Sequence, residues 1–180
     1  MFNILGPLLN PARPQGMVVG VAEKELGATF AKSLREGGVQ RALVVCGKEG
    51  LDEISCAGET WVWELTSDGT IKQGTLHPLR DFGVDVHPLA HVGGGSPDEN
   101  AQTFCTLLTS GVDLPLALKP VADFVLINAA ALLKVAGIAR DYKHGVELAR
   151  DSMVSGKAWE ALLAFKDECQ RLQDASNETK

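Results

Sequence analysis

Two uninterrupted apolar runs separated by one amphipathic stretch decide the fold class. Met17-Val18-Val19-Gly20-Val21-Ala22 and Arg41-Ala42-Leu43-Val44-Val45-Cys46 show no polar alternation, the pattern of strands covered on both faces. Between them, Glu23 to Glu36 places Leu26, Phe30, Ala31 and Leu34 at helical spacing and halts at Gly37-Gly38. Strand, helix and strand at this distance form a βαβ unit, whose two strands run parallel. The expectation is an α/β protein with a mainly parallel sheet flanked by helices. At 180 residues the chain suits one domain, burying about 70% of its unfolded surface.

Further along, Thr60-Trp61-Val62-Trp63-Glu64-Leu65 is rich in strand formers. Ser67-Asp68-Gly69 then turns into Thr70-Ile71-Lys72-Gln73, which predicts a hairpin. Residues 74–95 hold Pro78, Gly83, Pro88 and three consecutive glycines and read mainly as loop. Ser96-Pro97-Asp98-Glu99 is a helix start with an N-cap, a first-position proline and a capping box. Pro120 opens a helix that is apolar on most sides, hence central. Residues 142–154 and 157–172 are amphipathic, and 174–180 read as a polar tail. One α/β domain is therefore expected over residues 1–173.

Net charge is -6, and the 17 Lys and Arg residues are scattered, so neither a nucleic acid nor an anionic membrane surface is an expected partner. No apolar stretch is read as reaching the ~20 residues that span a bilayer. Cys46, Cys56, Cys105 and Cys169 form no CxxC pair and read as free thiols of a reducing compartment, the cytoplasm. The opening Phe2-Asn3-Ile4-Leu5-Gly6-Pro7-Leu8-Leu9-Asn10-Pro11 is apolar and punctuated by Gly-Pro and Asn-Pro, as in a shaped internal loop. Such an opening is expected in the middle of a longer protein.

Local chemistry centres on Gly47-Lys48-Glu49-Gly50-Leu51-Asp52-Glu53-Ile54-Ser55. It follows a buried strand, where ligands of open parallel sheets collect. In a glycine-hinged loop Asp52 and Glu53 can turn toward one ligand, and such a pair suits Mg²⁺ shared with substrate phosphates. A solvated acidic turn is the plainer reading of a bare Asp-Glu pair. Gly93-Gly94-Gly95-Ser96 could cradle an anion, but Asp98 and Glu99 in the first turn oppose it. His77, His87, His91 and His144 show no zinc-ligand spacing.

Several of these stretches resemble the later part of anthranilate phosphoribosyltransferases. The resemblance is carried by residues 2–12, Ala42-Leu43-Val44-Val45 and Gly50-Leu51-Asp52-Glu53-Ile54-Ser55. Asp81-Phe82-Gly83, Glu99-Asn100-Ala101 and Asn128-Ala129-Ala130-Ala131-Leu132 add to it. It runs in register from residue 1 to about residue 172. It implies the C-terminal domain of the nucleoside phosphorylase and phosphoribosyltransferase fold, with residues 1–16 as a remnant of the hinge loop. It also implies transfer of the ribosyl phosphate of phosphoribosyl pyrophosphate to the amino group of anthranilate, in tryptophan biosynthesis. Asp52 and Glu53 match the family's Mg²⁺-holding pair, and Gly6 and Pro7 match the hinge loop lining the anthranilate channel. A homodimer is the implied assembly. The family's glycine-rich substrate loop, its Lys-His-Gly-Asn stretch and its anthranilate-binding arginine have no counterpart in these residues. Cys46 stands where many relatives carry His, and Gly95-Ser96 where an Asp is common. The alternative is a non-catalytic ligand-binding or regulatory domain that keeps the fold.

Overall fold

A computed structural model describes residues 10–178 together with Gly6 and Leu8. The chain divides into two compact units, Met1–Gly93 with Pro120–Leu148, and Gly94–Lys119 with Ala149–Lys180.

The first unit is built on a four-stranded sheet of β1 (Gly16–Gly20), β2 (Arg41–Gly47), β3 (Thr60–Leu65) and β4 (Ile71–Leu76), in that order. Helix α1 (Lys24–Glu36) connects β1 to β2, and these two strands are parallel, with Gly20 opposite Val45. The βαβ reading holds. The sheet as a whole is not mainly parallel, however, because β2–β3 and β3–β4 are both antiparallel. A continuous apolar run reports burial on both faces and is silent on the direction of the partner strand. Here the loop over residues 48–59 brings the chain straight back along β2 instead of across the sheet.

Successive strand residues alternate between faces, and the two faces take different helices. On one, Val19, Ala42, Val44, Cys46, Trp63 and Leu65 form a core with Phe30, Ala31 and Leu34 of α1. Gly27 of α1 makes that approach possible, since a Cβ there would collide with the Trp63 ring. On the other, Lys134 Nζ meets Glu64 Oε1 at 2.7 Å, and Val135 packs on Gly16. Both belong to α3 (Lys119–Val135), the central helix expected from its composition. It buries Ala122, Leu126, Ile127, Ala130 and Ala131. Helix α4 (Tyr142–Val154) begins in this unit, and Gly145 sits close enough to α3 that a Cβ would meet Ala130 at 2.8 Å.

The stretch Leu116–Val135 corrects one expectation. Its 20 residues, with mean hydropathy 1.7, are long and apolar enough to cross a membrane by length and composition. Lys119, Asp123 and Lys134 interrupt the run without lowering it below that threshold. In the fold Asp123 is 2% exposed and paired within the protein, which marks α3 as a core helix.

The second unit is helical. Helix α2 (Pro97–Thr109) starts with the expected capping box: Ser96 accepts from the Glu99 backbone N–H, and the Glu99 carboxylate accepts from the Ser96 N–H. Helix α5 (Lys157–Glu178) continues through residues 174–178, where the sequence suggests a tail. A run of polar residues with no breaker is as compatible with a fully solvated helix as with a coil.

Candidate functional site

The acidic loop leaves the carboxyl end of β2 and is shaped by backbone geometry before any side chain acts. Gly47 N–H donates to the Leu51 carbonyl at 2.7 Å, and Gly50 N–H to the Gly47 carbonyl at 2.9 Å. Gly50 takes φ +81°, a conformation that glycine adopts without penalty. Beneath the loop, Gly20 ends β1, and a Cβ at that position would run into the Asp52 carbonyl oxygen. Asp52 therefore rests directly on the β1 backbone. That contact brings the acidic pair to the carboxyl edge of the parallel strands.

The segment just after the pair is tied down side chain by side chain. Asn128 of α3 accepts from the Ile54 N–H at 3.0 Å and donates to the Ile54 carbonyl at 3.2 Å. Ser55 N–H donates to Thr60 Oγ1 at 2.9 Å, and Ser55 Oγ donates to Glu49 Oε1 at 2.8 Å. His87 N–H donates to the Cys56 carbonyl at 2.9 Å, while the His87 ring lies 2.8 Å from Asp123 Oδ2. Ile54, Ser55, Cys56 and Thr60 are all buried. A rigid base thus carries two exposed carboxylates.

Asp52 and Glu53 themselves have no ion-pair partner among the described residues. Lys48, in the same loop, pairs with Glu59 at 2.5 Å, and Lys24, just after β1, sits over the Trp61 ring at 3.9 Å. The Glu53 carboxyl is held above the usual carboxylate range. Partial shielding from water by the surrounding loop is the larger cause, and the Asp52 charge beside it the smaller. Two like charges kept adjacent without a neutralising partner form an arrangement that a hard cation relieves. Among the described residues no group of three or more His, Cys, Asp or Glu could hold a metal on its own. The pair matches the Mg²⁺ habit of taking one or two carboxylates and completing its shell with water and phosphate oxygens.

The other sequence candidates resolve differently. Gly6 is exposed and helical, with open space where a Cβ would stand, and Pro7 lies outside the described residues. At the glycine run before α2, two of the donors an anion would need are already engaged: Gly95 N–H on Asn100 Oδ1 and Ser96 N–H on Glu99. Cys46 and Cys56 are buried free thiols. Desolvation raises both pKa values, which leaves them unreactive. Two cavities of the first unit open at the far, amino-terminal end of the parallel strands. One, of about 220 Å³, lies by Met17 and Leu34, and another, of about 280 Å³, by Arg41 and Lys134.

Sequence reasoning missed Gly20, Asn128, His87 and Asp123. One signal was visible in Asn128, a polar residue inside an apolar helix, which must find hydrogen-bond partners once buried. The His87–Asp123 pair spans 36 residues and leaves no local trace.

Residues 1–159 match the family model described as "Glycosyl transferase family, a/b domain". Among curated proteins, the chain is 44% identical over 165 residues to the anthranilate phosphoribosyltransferase of Schizosaccharomyces pombe, covering 92% of this chain and 45% of that protein. The Deinococcus radiodurans enzyme of the same name is also 44% identical, with 92% and 46% covered. Among solved structures, that of anthranilate phosphoribosyltransferase from Saccharomyces cerevisiae in complex with PRPP and Mg superposes with TM-score 0.81 at 33% identity. It is matched over 92% of this chain and 46% of that one. The Thermus thermophilus enzyme gives 0.79 at 37% identity, over 91% and 46%. The chain thus spans about half the length of the relatives it matches, and over residues 1–159 it belongs to the glycosyl transferase family through that family's a/b domain.

Proposed function

We propose that this chain supplies the metal-and-diphosphate side of an anthranilate phosphoribosyltransferase. In that reaction the ribose C1–O bond of phosphoribosyl pyrophosphate breaks and its electron pair leaves with the diphosphate. The anthranilate nitrogen forms the new C1–N bond and gives up a proton. A Mg²⁺ ion, when bound, opposes the charge that builds on the departing diphosphate. Asp52 and Glu53 are the residues that would hold it, as hard oxygen donors with no ion-pair partner among the described residues. Gly20 and the Ile54–Cys56 segment fix where those carboxylates stand. Gly6 and Pro7 are proposed to line the approach of anthranilate. The free thiols fit a reducing, cytoplasmic setting, and a homodimer is the proposed assembly of the whole enzyme.

The observation that carries this reading is the acidic pair, unpaired and mutually repelling, on a loop braced from beneath. Calorimetric titration of the 180-residue protein with Mg²⁺ and inorganic pyrophosphate should show saturable binding. Asp52→Ala should abolish the response. Undiminished binding by both Asp52→Ala and Glu53→Ala variants would refute the reading.

A further inference from the structure

We infer that Asn128 is the positioning residue of the acidic pair, and that its side-chain amide sets how tightly Asp52 and Glu53 hold a divalent cation. The inference deepens the proposed function and rests on it. The Ile54 N–H belongs to the peptide group that joins Glu53 to Ile54, so Asn128 Oδ1, at 3.0 Å, holds the base of Glu53 itself. Asn128 Nδ2 spends its two hydrogens on the Ile54 carbonyl at 3.2 Å and on the Phe124 carbonyl, one turn back in α3, at 3.0 Å. Every donor of the amide is used and its oxygen is occupied. Its orientation is dictated, because the Ile54 N–H can meet only an acceptor. The same helix reaches the segment a second time through Asp123, whose carboxylate holds the His87 ring while the His87 backbone N–H holds the Cys56 carbonyl.

The acidic pair therefore sits between two fixed supports, the β1 backbone at Gly20 under Asp52 and α3 at the Glu53–Ile54 peptide. Two adjacent carboxylates repel, and without the second support their loop relaxes apart. A cation must then reassemble the pair at the expense of affinity. Residues that orient ligand groups in this way typically change metal affinity by about 10–100-fold when replaced. Linkage makes the effect reciprocal, so bound cation should in turn protect the Ile54 amide from exchange.

The test titrates Mg²⁺ with inorganic pyrophosphate into the wild-type, Asn128→Asp, Asn128→Ala, Leu34→Ala, Asp52→Ala and Glu53→Ala proteins. Asn128→Asp is close to isosteric and keeps the acceptor for the Ile54 N–H but loses both donors. It also adds a negative charge near the site. A purely electrostatic role predicts tighter cation binding in this variant, whereas a positioning role predicts binding weaker by about tenfold or more. Leu34→Ala, in the core on the opposite face of the sheet, should lower stability yet leave affinity unchanged. Amide exchange at Ile54 should slow on adding Mg²⁺ and pyrophosphate to wild type and not to Asn128→Asp. Unchanged or tighter binding in Asn128→Asp, with Asp52→Ala still inert, would overturn this inference and leave the proposed function standing. Undiminished binding by both Asp52→Ala and Glu53→Ala would remove both.

Discussion

At the scale of single residues, the site depends on what is absent as much as on what is present. Gly20 has no side chain because the Asp52 carbonyl occupies that space. Its replacement by Ala should cost about 3 kcal/mol, the upper range for forced overpacking, read from the denaturant midpoint. It should also weaken Mg²⁺-pyrophosphate binding in the same protein. Glu53 pulls the other way. Its folded-state pKa is raised, so the stability linked to this group is present below the ordinary carboxylate range and is lost as pH rises through the raised value. At neutral pH the charged side chain is a burden on the metal-free protein. Glu53→Gln should therefore raise the melting temperature at neutral pH, leave it nearly unchanged in acid, and abolish cation binding. In the wild type, Mg²⁺ affinity should climb as pH passes upward through Glu53's raised pKa, because cation and proton compete for one carboxylate.

Among elements, local chemistry was readable where it is self-contained. The β3–β4 turn is closed by Asp68, whose carboxylate accepts from the Thr66 hydroxyl and the Thr70 N–H and titrates at about 2 for that reason. The α2 cap closes within four residues of sequence. Ser96→Ala should lower stability by about 1 kcal/mol, measured by thermal unfolding, with no change in cation binding, since the cap and the acidic loop belong to different units. The pairing of β2 with β3 was not readable in this way. An apolar strand is equally content beside a parallel or an antiparallel neighbour, and the direction was set by where residues 48–59 return. Helix α3 shows the same limit. Its apolar composition announced a central helix, but it could not announce that Asn128 and Asp123 would reach the segment behind the acidic pair.

For the whole molecule, the decisive fact is reach. The chain matches its relatives over nearly all of its own length and about half of theirs. Phosphoribosyl anthranilate formation by the purified 180-residue protein, followed by product fluorescence, is expected to be negligible, while Mg²⁺-pyrophosphate binding persists. Appreciable turnover by the protein alone would contradict the division of labour proposed here.

The βαβ core, the hairpin, the capped start of α2 and the adjacency of the two acidic residues are legible along the chain, since each is written in residues close together. That the sheet is mixed, that β1 ends beneath Asp52 and that α3 holds the peptide behind Glu53 emerges from the folded chain alone. The last two contacts join residues 32 and 74 positions apart, where the chain must fold before the partners meet.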